Sequence, residues 1–196
     1  MRKMNDMQDD LALDARAGLP DALRVLLEAY PRDGWSRDPG FDGLVQFWLD
    51  RHGMFRSLAA RLGETAEAAL DGRAEPQGAG RALARFGNVF LNELHGHHMI
   101  EDRHYFPVLS RRDPRILRGF EMLERDHEAI DPLLARFAER ANLALQALGG
   151  TEDFRPALDA FRDELRGTER LLLRHLEDEE DLVVPVVLAH GSAGLG

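Results

Sequence analysis

The chain has 196 residues, 44% of them hydrophobic, and a formal net charge of −10. That is enough for one large domain with a substantial core, and the charge argues against nucleic acid or an anionic membrane surface as partner. Cysteine is absent, which removes disulfides, thiol catalysis, iron–sulfur clusters and thiolate metal sites together, so any metal is held through N and O ligands.

Residues 1–41 read as an N-terminal helical extension and connector. "MRKMNDMQDD" has no secretory apolar core, so the cytoplasm is the expected compartment. "LPDALRVLLEAY" has the pattern of a short amphipathic helix and "PRDGWSRDPGFDG" that of a Pro/Gly-rich connector. The segment is too short for a core of its own and is expected to pack on the domain that follows.

From residue 42 to about 190, helical periodicity dominates. The first segment, about 42–71, carries Leu44, Trp48, His52, Phe55, Ala59 and Leu62 at steps of three and four. After the loop "DGRAEPQGAG", the second carries Phe86, Phe90, Leu94, His97, Glu101 and His104. "RRDP" ends it, with Asp113 placed to cap the next helix and Pro114 at its first position. The third carries Phe120, Leu123, His127, Ile130, Leu134 and Phe137, with Pro132 inside it. Past "GGTED", the fourth carries Leu158, Phe161, Leu165, Leu172, His175, Glu179, Leu182 and Val186. Each has one buried face, and no period-2 run competes. Short loops favour antiparallel neighbours, so the expected fold is all-α: an up-down-up-down four-helix bundle with a short N-terminal helical extension. Residues 191–196 form a tail. No apolar run reaches the ~18–20 residues that span a bilayer.

Histidine interrupts every one of the four apolar stripes, and glutamate two of them. His97 and Glu101 are four apart, about 40° round the helix and ~6 Å along it, and His175 and Glu179 repeat the spacing. A buried ionised carboxylate costs several kcal/mol without a counter-charge. No Lys or Arg lies on these stripes, so a pair of divalent or trivalent cations is the natural compensation. The device is duplicated: His97 to Pro107 and His175 to Pro185 are equal separations, and Trp48 and Leu123 precede His52 and His127 alike. Two such halves suit a pseudo-two-fold bundle with a symmetric dinuclear site.

The segments "HHMIEDRHYFP", "LERDHEAI" and "RHLEDEEDLVVP", with the order His, His-x-x-x-Glu, His, His-x-x-x-Glu, resemble the hemerythrin-like HHE cation-binding family over about residues 42–189. That resemblance implies a non-haem di-iron centre, oxo- or hydroxo-bridged, with His52, His97, His127 and His175 as terminal ligands and Glu101 and Glu179 bridging two iron ions. The oxygen-carrying hemerythrins have a further histidine four residues after the third-helix ligand, where this chain has Asp131. His104, on the Glu101 face at about −60° by α-helical geometry, is the expected fifth imidazole or a gate on the open position. His98, about 100° off the face, is expected first to support the site or lie at the surface, with a place as the fifth nitrogen ligand as the alternative. His95 is expected to be solvated, and His190 to belong to the tail. Asp102, Glu177, Asp178, Glu180 and Asp181 are expected to form a solvated acidic face. Trp48, Phe55, Phe90 and Phe137 are expected in the core as a dry wall, and Gly53 to let a partner helix approach.

A centre so rich in neutral nitrogen favours reversible binding or sensing of a small diatomic ligand (O2, NO) or peroxide, with modest redox activity, over cleavage of strong C–H bonds. Two alternatives belong to other classes. An iron-storage or ferroxidase enzyme would use Glu101-x-x-His104, but Leu182 stands where the fourth helix needs the matching histidine. An iron- or oxygen-responsive adaptor would act on a protein partner docked in trans.

Overall fold

The computed structural model describes residues 11–195, and all regular structure among them is helical. The stretch "MRKMNDMQDD" lies outside the described residues. A 3-10 turn at Asp21–Leu23 leads into α1 (Val25–Ala29), and a second 3-10 turn covers Arg32–Arg37. α2 (Gly43–Leu70) and α3 (Pro76–Ile100) follow. α3 continues through a π-helical turn (Glu101–Tyr105) into α4 (Phe106–Leu109). A 3-10 turn at Pro114–Ile116 then leads to α5 (Leu117–Gly149), and α6 (Arg155–His190) completes the chain. No helix among the described residues is long and apolar enough to cross a membrane.

Local chemistry explains the boundaries. Asp113 caps the Pro114–Ile116 turn, its carboxylate accepting from the Arg115 backbone N–H, and Pro114 needs no partner for a missing N–H. α2 closes on Gly72, whose φ of +71° is open to glycine at no steric cost. The loop expected over residues 71–80 is shorter than its composition suggests, because Pro76 opens α3. Gly78 and Gly80 lie within that helix, and a Cβ on Gly80 would rest 3.7 Å from Leu148. The expected connector after Pro31 holds a 3-10 helix with Trp35 buried, its indole N–H donating to the Tyr30 carbonyl at 2.7 Å.

Two compact units share these helices. Among the described residues, one takes in 11–52, His98–Ala129 and 173–195. Its apolar cluster joins Leu19, Leu23, Leu26 and Trp35 of the N-terminal segment to Val45, Trp48, Phe106, Phe120, Leu123 and the Leu182–Leu188 stretch. The segment therefore shares a core with the helices that follow it. The other unit is Gly53–His97 with Ile130–Leu172. Its centre is aromatic: Phe90 packs on Phe137 at 5.6 Å between centroids, and Phe137 on Phe161 at 5.4 Å.

Candidate metal centre

Two groups of metal-ligating side chains converge. His52, His97, Glu101 and Glu179 form one, and His98, His127 and His175 the other; within each, the ligand atoms lie within 4.8 Å of one another and every residue is buried. The glutamates reach toward both groups. Glu179 has one oxygen 3.4 Å from His52 Nε2 and the other 3.4 Å from His175 Nε2. Glu101 Oε2 lies 3.6 Å from His127 Nε2. His98 stacks on His127 at 4.0 Å and meets His175 edge-on at 5.3 Å.

Carboxylates orient three of the imidazoles from behind. His52 Nδ1 lies 3.0 Å from Glu180, His127 Nδ1 2.7 Å from Asp102, and His175 Nδ1 3.2 Å from Asp126. A proton on Nδ1 donates to the carboxylate and leaves the Nε2 lone pair facing the site. Trp48 donates its indole N–H to Glu179 Oε1 at 2.5 Å, fixing one carboxylate edge. Phe55 stands 5.1 Å from the His97 ring and Phe106 stacks 5.6 Å from His127, lining the site with apolar surface.

The electrostatics ask for a cation. Burial, together with the neighbouring Glu179, pushes the Glu101 carboxyl well above its usual range, and Arg51 offsets this only in part. Burial lowers His175, which favours its neutral, lone-pair-bearing form. Burial acts the same way on His52, but Glu179 and Glu180 outweigh it and raise that imidazole to about 8.

One contact tests the fit directly. His127 Nε2 and His175 Nε2 lie 3.2 Å apart, while each ring's Nδ1 faces a carboxylate. With both Nδ1 positions protonated, two lone pairs point at each other, an arrangement that only a shared cation relieves. A metal suits that position better than a proton, because burial disfavours protonation of His175. The donors are all imidazole and carboxylate, the set that suits iron, manganese, zinc or copper.

The comparisons with known proteins agree with this geometry: the family model for the hemerythrin HHE cation binding domain matches residues 43–187. The chain belongs to the hemerythrin HHE cation-binding domain family. Comparison with curated proteins and with solved structures gave no significant match.

Within this hemerythrin-like chain, six of the seven expected ligands, His52, His97, Glu101, His127, His175 and Glu179, lie in the two groups. The seventh, His104, does not. It is exposed, packed edge-on to Tyr105 at 5.3 Å, and belongs to neither group. The π-helical turn over Glu101–Tyr105 explains the difference: its wider turn rotates less per residue than the ~100° of an α-helix, so three steps beyond Glu101 no longer return to that face. His98 is buried in the second group instead. Its offset of about 100° from His97 does not exclude it, because two adjacent residues on one helix can serve two neighbouring groups. Asp131 is exposed, as is His95, and His190 ends α6.

The acidic face also differs from expectation. Asp178 and Glu180 are buried, Glu180 behind His52 and Asp178 paired with Arg16. Arginines of the N-terminal segment cover them, which helical periodicity within α6 cannot reveal. Asp126 and Asp102 could have been suspected from the sequence, the first adjoining His127 and the second adjoining Glu101. A Cβ on Gly53 would meet nothing within 4 Å, so no close helix approach explains that glycine.

Proposed function

We propose that this protein holds two iron ions within an up-down-up-down helical bundle and binds or senses a small oxidising ligand such as O2, NO or peroxide. The facing Nε2 atoms of His127 and His175, 3.2 Å apart with Nδ1 of each against a carboxylate, carry the reading. His52 and His97 would hold one ion, His98, His127 and His175 the other, with Glu101 and Glu179 shared between them. Bound iron would supply an open coordination position and one-electron chemistry for such a ligand. The protein's own contribution is orientation and dryness. Glu180, Asp102 and Asp126 hold the Nδ1 edges of three imidazoles and so aim their Nε2 atoms at the site, Trp48 holds Glu179, and Phe55 and Phe106 limit water.

The division of four nitrogens against two shared carboxylates supports ligand binding over ferroxidase chemistry, and a fifth nitrogen from His98 strengthens it. The ferroxidase alternative needs histidine at position 182, where a buried leucine packs in the apolar cluster.

The test is anaerobic loading with Fe(II), metal analysis and optical spectra before and after O2, NO and peroxide. About two irons per chain and near-ultraviolet charge-transfer bands after oxidation are expected. A single zinc, or no tightly held metal after iron loading, would refute the proposal.

A further inference from the structure

Two arginines of the N-terminal segment reach the candidate centre through carboxylates. Arg16 is buried; its Nε donates to Asp178 at 2.6 Å, and its terminal nitrogens grip both oxygens of Asp126, one at 2.8 Å. Asp126 in turn lies behind His175 Nδ1. Arg32 donates to Glu180 Oε2 at 2.9 Å and to Asp181 at 2.6 Å, and the other oxygen of Glu180 lies behind His52 Nδ1. Both chains of contacts end on one group: His52 Nε2 and His175 Nε2 face the two oxygens of Glu179, each at 3.4 Å. Neither arginine lies within residues 43–187, the span of the family match.

We propose that Arg16 and Arg32 are positioning residues of the metal centre, through which the N-terminal segment sets the orientation and donor strength of His175 and His52. This rests on the metal reading above. The physical reason lies in how a carboxylate divides its lone pairs. An aspartate free to accept from Nδ1–H alone draws the proton strongly and makes the imidazole a richer donor. A carboxylate gripped by a guanidinium fork is a weaker acceptor, fixed in plane, so the imidazole in front of it is a more modest donor and is rotationally held. Arg16 performs this inside the protein, its side chain 2% exposed, where the dielectric strengthens it; Arg32, at 44%, does so from a wetter position. Two arginines from one segment thus act on two histidines that share one glutamate. Seating of the segment and the electronic state of the centre are thereby coupled. The third carboxylate-backed histidine, His127, shows the contrast: its partner Asp102 has a side chain 39% exposed, and solvent rather than a buried arginine shares that carboxylate.

The experiment uses the full chain with Fe(II) as probe: R16M, R32M, D126N, E180Q and the doubles R16M/D126N and R32M/E180Q. Fe(II) affinity is read by chelator competition, and the oxidised spectrum and midpoint potential on the loaded proteins. R16M is expected to weaken Fe(II) binding about ten- to a hundredfold and R32M about tenfold, the range for groups behind a ligand. Both should shift the charge-transfer bands and potential, which lost packing alone would not move. Each double should weaken binding no more than its stronger single, because the arginine acts through the carboxylate. Arg32 is half-exposed, so R32M remains a test even if R16M fails to fold. Additive losses in the doubles, or R32M with unchanged affinity, spectrum and potential beside a wild type that binds iron, would overturn this inference alone. A wild type that takes up no iron would overturn the metal reading and this inference with it.

Discussion

Replacing Glu101 by glutamine exchanges a buried carboxylate oxygen for an amide nitrogen of nearly equal size, and the effect should change sign with metal. Without metal, Glu101 is fully buried beside Glu179, and its carboxyl is held well above the ordinary range. An acid whose folded pKa is raised opposes folding at any pH above its unfolded value, here the whole neutral range. Glutamine removes that opposition, so the apo variant should melt no lower than the apo wild type. With metal, the lost ligand dominates. At free metal a thousandfold above Kd, binding stabilises the folded state by about 4.1 kcal/mol. If Glu101→Gln weakens affinity about a hundredfold, the same metal supplies only ~1.4 kcal/mol. The difference of ~2.7 kcal/mol corresponds to about 5–11 °C in Tm at this chain length. Differential scanning calorimetry of apo and Fe(II)-loaded forms, handled anaerobically, gives all four values. An apo Glu101→Gln that falls as far as its loaded form would refute the reasoning, making Glu101 a structural acceptor and not a ligand.

His98→Ala should lower Fe(II) affinity about tenfold or more (~1.4 kcal/mol) in equilibrium dialysis, whereas His104→Ala, at an exposed position, should leave affinity and spectrum unchanged. Gly53→Ala, with open space around the new methyl, should raise stability by about 0.5–1 kcal/mol in urea titration through helix propensity. Gly119→Ala should lower it, because a Cβ there would lie 2.7 and 2.8 Å from the methyls of buried Leu182, and overpacking of ~1–3 kcal/mol exceeds the propensity gain. Arg115 holds the Asp113 carboxyl down to about 2. A depressed acid stabilises above its unfolded pKa and loses that contribution as pH falls from 3.8 through about 2. Asp113→Asn keeps the cap but not the charge, so its small deficit at pH 6, screened at an exposed arginine, should narrow toward pH 3 when both proteins are unfolded with urea.

The sequence alone carried the helices and the core of the site, because both depend on short-range periodicity. Steps of three and four brought His52, His97, Glu101, His127, His175 and Glu179 onto buried faces, and the structure gathers those six with His98. Spacing along one helix is a geometric constraint that holds before any packing is known. It fails where the helix itself departs from α geometry. The π-helical turn at Glu101–Tyr105 carries His104 out to solvent, and no residue in "EDRHY" announces a turn that depends on what surrounds it. The sequence also cannot say which side of a helix a distant segment covers. Asp178 and Glu180 read as solvated by their neighbours in α6, yet they are buried because Arg16 and Arg32, some 150 residues earlier in the chain, pair with them. Charge pairing across that separation leaves no periodic trace, so the burial of Asp178 and Glu180 and the arginines behind the carboxylates were decided by tertiary structure alone.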